Sequence, residues 1–535
     1  MADIFTQTDE IFSKWDKKDS PGCVLGIIKD GQFIYKRGYG LANLEYSIPL
    51  SPHSILDIGS TSKQFTALCI LLLSRKGKIS LDDPIQKYIP ELPEYEAPVT
   101  IQHLVHHTSG IRDYLELMYF AGMPFENDYQ EPEIISLIAR QKQLNFIPGE
   151  EFLYSNSGYL LMAEIVKRVS GKDLRDFAQE NIFAPLKMTQ THFHNNFKEI
   201  VKNRASAYAP LGSEVKGFKI DMGIFDVLGD GALYTSVEDL FLWDQNYYHN
   251  ILDGGGQDLI QAMEEKFSLN SGEIINYAFG LDVTEYKGLK LVRHGGAWYG
   301  YRAEMLRFPE HQFSVICLAN LGTMNPTGLA LQVADLYLAE ALKETMHKKE
   351  EEFIELSNEA LKSFTGFYQN EDATFTGFIR LIDDQLLLDF MGEKIKIKPI
   401  ADNQCKTIDF SHPIMLSFGK LGENGFQSLN FNVADAKINE NLVKCEQLIL
   451  SNKEIARYTG TYFQDELQVT YEILIVENEL QIHIKGSTFE TLQPVTKEIF
   501  AAGRFTTIFQ FDSDENISGF NIKGSRARTI EFSKQ

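Results

Sequence analysis

The stretch Leu56-Asp57-Ile58-Gly59-Ser60-Thr61-Ser62-Lys63-Gln64-Phe65-Thr66-Ala67-Leu68 reads as a loop running straight into an apolar helix, with a serine at the helix start and a lysine three residues on. Residues three apart share a helix face, so the Ser60 hydroxyl and the Lys63 amine can meet. The first-turn amides of a helix lack intrahelical partners and present the positive end of its dipole. This suits a nucleophile whose proton goes to a neighbouring amine, with a backbone N–H left to hold an oxyanion. The helix continues through Ile70-Leu71-Leu72-Leu73 and stops near Gly77; apolar nearly all round, it is expected at the centre of its domain.

The pattern S-x-x-K alone is weak, because it also occurs at Ser213/Lys216 and Ser417/Lys420. Only the Ser60 copy opens a long apolar helix, so context selects it. Outward from that helix, Phe5 to Asp16 reads as an amphipathic helix, and Cys23 to Lys29 and Gln32 to Tyr39 as strands joined at Asp30-Gly31. Helices are expected at Glu133 to Gln143, Ser157 to Val169 and Val237 to Tyr247. Strands return at Tyr277 to Tyr286, Leu289 to Arg293, Tyr301 to Phe308 and Phe313 to Asn320, and a helix from Leu329 to Thr345 follows. Strands at both ends with helices between imply one sheet built from the two termini, with a helical region inserted.

The charged run Met346-His347-Lys348-Lys349-Glu350-Glu351-Glu352 reads as a linker. Beyond it the chain turns to short alternating strands and repeats itself. Leu356 to Tyr368 aligns without gaps on Leu450 to Tyr462, an offset of 94 residues with six identities in thirteen. Two copies of a small all-β unit are expected, and closing each into a barrel removes its sheet edges. The domains so read are 1–345, 346–449 and 450–535.

The net charge of −23 argues against nucleic acid and anionic membrane surfaces as partners. No run of about 18 apolar residues appears, so no membrane span is expected. The N-terminus lacks a basic and apolar leader, which points to a cytoplasmic protein; a leader already removed would point to the periplasm or the outside of the cell. Five scattered cysteines (Cys23, Cys69, Cys317, Cys405, Cys445) form no disulfide framework and read as buried free thiols. No G-x-G-x-x-G or P-loop is present, so no cofactor is implied. His103, His106 and His107 crowd together without a carboxylate or cysteine pattern to complete a metal site, so no metal is expected.

Two further patterns join Ser60 and Lys63. Tyr154-Ser155-Asn156 stands directly before a predicted helix; its tyrosine reads either as a packing residue or as a phenol that shuttles protons, and its Asn156 amide as a partner for a substrate carbonyl. His294-Gly295-Gly296, the one H-x-G in the chain, sits at the end of a predicted strand, where glycines let another backbone or a substrate approach. Trp298, Tyr299 and Tyr301 read equally as pocket wall or as packing.

The order S-x-x-K, Y-x-N, H-x-G, with Leu104-Val105-His106-His107-Thr108-Ser109-Gly110-Ile111 and Gly229-Asp230-Gly231-Ala232-Leu233-Tyr234 between, resembles the serine β-lactamase and penicillin-binding-protein superfamily. The branch it resembles holds class C β-lactamases, D-alanyl-D-alanine peptidases, D-aminopeptidases and their esterase relatives. The resemblance implies an α+β fold: a β-lactamase-like catalytic domain, an antiparallel sheet with an inserted helical region, followed by two small antiparallel, lipocalin-like barrels as in D-aminopeptidase. It implies Ser60 as acylated nucleophile, Lys63 as activating amine and Tyr154 as general base and then acid. It also implies Asn156 on the substrate amide and an oxyanion hole from the Ser60 and Ala297 N–H groups.

The departure is His294, where β-lactamases and carboxypeptidases of the family carry the lysine of K-T-G. An unperturbed histidine, with its pKa near ~6.5, is largely neutral at pH 7. Loss of that fixed charge favours peptides cut from the amino end, amides or small esters, and Arg302 is the remaining candidate for a carboxylate partner. A small molecule or short peptide is the expected substrate, and the sequence leaves the oligomeric state open, a homo-oligomer included. The other readings are a β-lactamase or carboxypeptidase and, in a different class, a sensor or assembly protein that does not turn over.

Overall fold

The computed structural model describes residues 3–535 apart from 213–214, 346–352, 372–374, 391–392, 409–413, 434–437, 446–447 and 449. Ser213 and the charged run from Met346 to Glu352 therefore lie outside the described residues. The chain forms two compact units, Met1–Tyr114 with Pro124–His347, and Leu115–Met123 with Lys348–Gln535.

In the first unit, α1 (Ile4–Phe12) precedes β1 (Cys23–Lys29) and β2 (Gln32–Tyr39), and the short β3 (Leu56–Asp57) leads toward α2 (Lys63–Arg75). The middle supplies α3 (Asn156–Ser170), β4 (His192–Phe193), β5 (Leu233–Thr235) and α4 (Val237–Tyr248). The chain returns through β6 (Asp282–Tyr286), β7 (Leu289–Trp298), β8 (Tyr301–Phe308) and β9 (Phe313–Ala319) to α5 (Pro326–Tyr337) and α6 (Ala339–Thr345).

The main sheet runs β6-β7-β8-β9-β1-β2, all antiparallel, so the two termini do meet in one sheet, with Cys23 opposite Ala319. The β1–β2 hairpin matches its expected bounds, and Asp30 and Gly31 take the positive φ values, 50° and 74°, that a tight hairpin turn needs. One face of the sheet packs Leu25, Ile27, Leu306 and Val315 against α1 and α5 through Phe12, Leu329 and Val333. On the other face α4 crosses so close to β1 that a Cβ on Gly26 would stand 2.5 Å from Val237. A second small sheet, β3-β5-β4, lies beside the turn that carries Ser60.

Three expectations are corrected. The H-G-G triplet does not end a strand: β7 runs on through it to Trp298 and pairs with β8 all the way, since glycine in a strand weakens packing but leaves the ladder intact. Tyr277 precedes its strand, because Gly280, at a φ of 68°, is pressed against the backbone of Lys63 and Gln64 and turns the chain before Asp282. The last helix is two, broken at Leu338.

The second unit holds two closed antiparallel barrels of eight strands, from Gly366–Gln369 to Ile438–Cys445 and from Gly460–Gln464 to Ile530–Lys534. The sequence repeat marks the same device at the start of each. Ser357 and Ser451 cap a short helix, Gly366 and Gly460 both take a φ of 148°, and Tyr368 and Tyr462 donate back to the carbonyls of Phe364 and Tyr458. Side chains fill both interiors: Tyr368, Leu388, Ile397 and Phe431 in the first barrel, Tyr471, Phe509, Phe520 and Phe532 in the second. Leu115–Met123 belongs to this unit; there the Glu116 carboxylate accepts the Ser525, Arg526 and Ala527 amides, and Tyr471 donates to the Phe120 carbonyl.

Candidate active site

Ser60 lies in a 3₁₀ turn, Gly59–Ser62, that winds directly into α2. Every residue of that helix from Lys63 to Leu73 is buried, as its apolar circumference requires. The turn is gripped by β7. Gly59, at a φ of 49°, leaves no room for a Cβ, which would stand 2.7 Å from the Ala297 amide nitrogen. A Cβ on Gly296 would come within 1.8 Å of the Ile58 carbonyl oxygen. Thr61 Oγ1 donates to the His294 carbonyl at 3.1 Å. The glycines thus bring the edge of β7, and the Ala297 amide with it, against the turn.

Lys63 is fully buried. Its Nζ donates to Ser60 Oγ at 3.0 Å, to Asn156 Oδ1 at 2.9 Å and to the Asp230 carbonyl at 2.5 Å. An ammonium has three N–H bonds, and three acceptors receive them. The same Nζ stands 5.0 Å from the centre of the Tyr154 ring and 5.4 Å from that of Tyr159. The structure therefore brings Ser60, Lys63, Tyr154 and Asn156 into one cluster.

The start of α3 is pinned by the segment before it. The Asn156 amide donates to Asp113 Oδ2 at 2.7 Å and the Ser155 amide to His107 Nδ1 at 3.1 Å, while Ser157 Oγ donates to the Arg112 carbonyl. His107 takes a φ of 57°, uncommon for a residue with a side chain, and its ring lies 4.1 Å from that of Tyr154. The histidine cluster of the sequence thus disperses. His103 caps its own helix with Thr100, His106 Nδ1 reaches the Tyr277 carbonyl at 3.0 Å, and His107 packs on Tyr154.

His294 is buried and both its ring nitrogens are engaged. Nδ1 meets the Gly295 carbonyl at 2.6 Å, so it carries the proton, and Nε2 accepts from Tyr277 Oη at 2.9 Å. Burial, then the nearby Lys63 charge, pulls the imidazole down to about 3, so it is neutral throughout the physiological range. Arg302 Nη1 donates to the Tyr299 and Tyr301 carbonyls. Tyr301 donates to the Ala205 carbonyl and is fully buried, which makes it packing, whereas Trp298 lines a pocket.

That pocket, of about 130 Å³, is walled by Asp57, Arg204, Phe225, Asp226, Tyr234 and Trp298. Burial raises the Asp57 carboxyl to about 7 and that of Asp230 to about 6, the latter accepting Tyr114 Oη at 3.0 Å. Tyr277, Asp113, Tyr114 and Asp230 are site residues that the motifs missed. Asp230 stood in a quoted stretch, Gly229 to Tyr234, but its contribution to Lys63 is a backbone oxygen, which leaves no residue-type signature.

Residues 4–339 match the family model described as Beta-lactamase. The chain is 32% identical over 325 residues to penicillin-binding protein 4* of Bacillus subtilis, covering 57% of this chain and 69% of that one. It is 29% identical over 301 residues to the D-aminopeptidase of Brucella anthropi, and so spans just over half of that relative, 56%. Among solved structures, the octameric penicillin-binding protein homologue from Pyrococcus abyssi superposes with a TM-score of 0.59 at 26% identity, over 83% of this chain and 100% of that one. A match of this extent, on a fold that gathers Ser60, Lys63, Tyr154 and Asn156 at one turn, means that the chain belongs to the Beta-lactamase family.

Proposed function

We propose that the protein is a serine hydrolase working through an acyl-enzyme on amide or ester bonds, with D-amino-acid peptides and amides or small esters as its substrates. One observation carries this reading: Lys63 Nζ bonds Ser60 Oγ and Asn156 Oδ1 at 3.0 and 2.9 Å with the Tyr154 ring beside it. With all three Lys63 protons donated, Tyr154, reacting as its phenolate, is the group left to take the Ser60 proton as Oγ attacks the carbonyl carbon. The Ser60 and Ala297 amides hold the oxyanion, and removing one such donor typically costs about a hundredfold or more in rate. Tyr154 then passes the proton to the leaving amine or alkoxide, and water reverses the sequence to release the acid.

The neutral, closed His294 supports substrates without a carboxylate at that corner, and the D-aminopeptidase relatives support a D-amino-acid acyl group. The octameric homologue supports self-association of this chain, which light scattering on the eluted protein reads directly. The deciding experiment labels the protein with an active-site serine probe, locates the adduct by mass spectrometry, and follows D-alanyl amides, p-nitrophenyl esters and a cephalosporin. An adduct on Ser60 with turnover of the amides or esters is expected. No adduct at Ser60 overturns the hydrolase reading, and a lasting adduct without turnover makes the protein a sensor.

A further inference from the structure

We propose that His192, His194 and Glu199, at and just beyond β4 of the small β3-β5-β4 sheet, form a binding site for one zinc-like divalent cation. One possible ligand atom from each of the three lies within 4.8 Å of the others, and no other such group occurs among the described residues. His192 Nε2 and His194 Nδ1 stand 3.2 Å apart. With zinc–nitrogen bonds of about 2.0–2.1 Å, two ligands of a tetrahedral ion stand about 3.3 Å apart, so these nitrogens already have the required spacing.

The local fold holds all three in place. His192 lies in β4 opposite Tyr234, whose ring packs against both imidazoles, with centroids 6.0 and 4.6 Å away. The His194 amide donates to the Ala232 carbonyl at 2.7 Å, and the Glu199 amide closes a turn on the Asn196 carbonyl at 2.9 Å, which folds the carboxylate back toward the rings. Arg175 holds that carboxylate at 2.6 and 2.9 Å. A carboxylate offers about four lone-pair sites, so Glu199 can keep Arg175 and bind a cation as well; ligating carboxylates are ordinarily steadied by such second bonds.

His194 is only 5% exposed, so an ion held on its Nδ1 would be shielded from bulk water. His194 also borders the 130 Å³ pocket. The ion would tie β4 to the turn at Glu199, and its effect would be on folding rather than on the acyl transfer.

The test uses the full chain stripped of metal and titrated with Co²⁺ alone and then Zn²⁺. One equivalent of Co²⁺ giving the visible spectrum of a tetrahedral ion, displaced by Zn²⁺, is expected. His194→Asn and Glu199→Gln should each weaken binding by more than the 10–100-fold (order of magnitude) typical of losing an outer partner, while His103→Asn leaves it unchanged. The thermal midpoint should rise with Zn²⁺ in the wild type and not in the His192→Asn/His194→Asn double variant. Absence of a stoichiometric tetrahedral Co²⁺ spectrum in the wild type overturns the proposal whatever the variants' folding. Undiminished binding in the double variant, or in Glu199→Gln, overturns it as well.

Discussion

Lys63 and His294 are two basic side chains buried in one site, and their surroundings differ in kind. Around Lys63 stand three oxygen acceptors that match an ammonium's three donors. Around His294 stand one carbonyl and one phenol, which match a neutral imidazole and leave it nothing to offer a substrate. Burial penalises charge at both places; what differs is whether acceptors are there to offset it. Basicity in a sequence therefore says little about charge in a site until the neighbouring oxygens are known.

The comparison breaks most visibly at Lys63. Lys63→Ala should lower kcat/KM on a D-alanyl p-nitroanilide by ~10³-fold or more, within the range for lost proton-transfer machinery; a variant keeping a tenth of the activity would mean that the three bonds of Lys63 are structural. Next, His294→Lys places a second cation in the site. The ratio of kcat/KM for a carboxylated substrate to that for its amide should rise at least about tenfold, equal to ~1.4 kcal/mol of selectivity. If instead the wild type already turns over the carboxylated member far faster than the amide, the neutral-corner argument is wrong.

Tyr277→Phe is the smaller change. It strips the His294 Nε2 of its donor without altering volume, and should cost about 1–3 kcal/mol in urea unfolding, the penalty for an unpartnered buried acceptor. The smallest expected effect is on the pH profile between 5 and 8. His294, already neutral above about 3, should contribute nothing there, so an inflection near 6–7 should survive His294→Asn. Asp57 and Asp230, at about 7 and about 6, do titrate in that window, so Asp57→Asn should displace the inflection.

The sign for stability follows from the same values. The folded pKa values of Asp57 and Asp230 lie above the unfolded value near ~3.9, so their contribution is full below that pH and lost as pH rises through about 6 and about 7. Stability should therefore fall with rising pH across this window, by at most ~1.4 kcal/mol per unit for one group. Asp57→Asn should flatten that slope in denaturant titrations run from pH 4 to 8.

Sequence alone revealed what depends on periodicity and on turn chemistry. The Asp30-Gly31 hairpin and the continuous apolar run after Ser60 each have one reading, and the repeat at Leu356 and Leu450 announced two copies of one β unit. What stayed hidden depends on approach in space. Tyr277 is one of 23 tyrosines with nothing local to set it apart, and Gly280 bends the chain there only because α2 lies against it. That Asp230 serves Lys63 through its main-chain oxygen, and that His294 is sealed by Tyr277, are facts about neighbours, which motif spacing does not encode.

The two barrels carry a liability during synthesis. Tandem copies of one fold can exchange equivalent strands while both are incomplete, and such misassembly is a characteristic failure of duplicated domains. Here each barrel closes on its own last strand, Phe367 opposite Cys445 and Tyr462 opposite Lys534, so the first copy can finish before the second emerges from the ribosome. Divergence lowers the hazard further, since the thirteen aligned residues that open each copy keep only six identities. A chain engineered to make the copies more alike should refold in lower yield, with swapped dimers as the by-product.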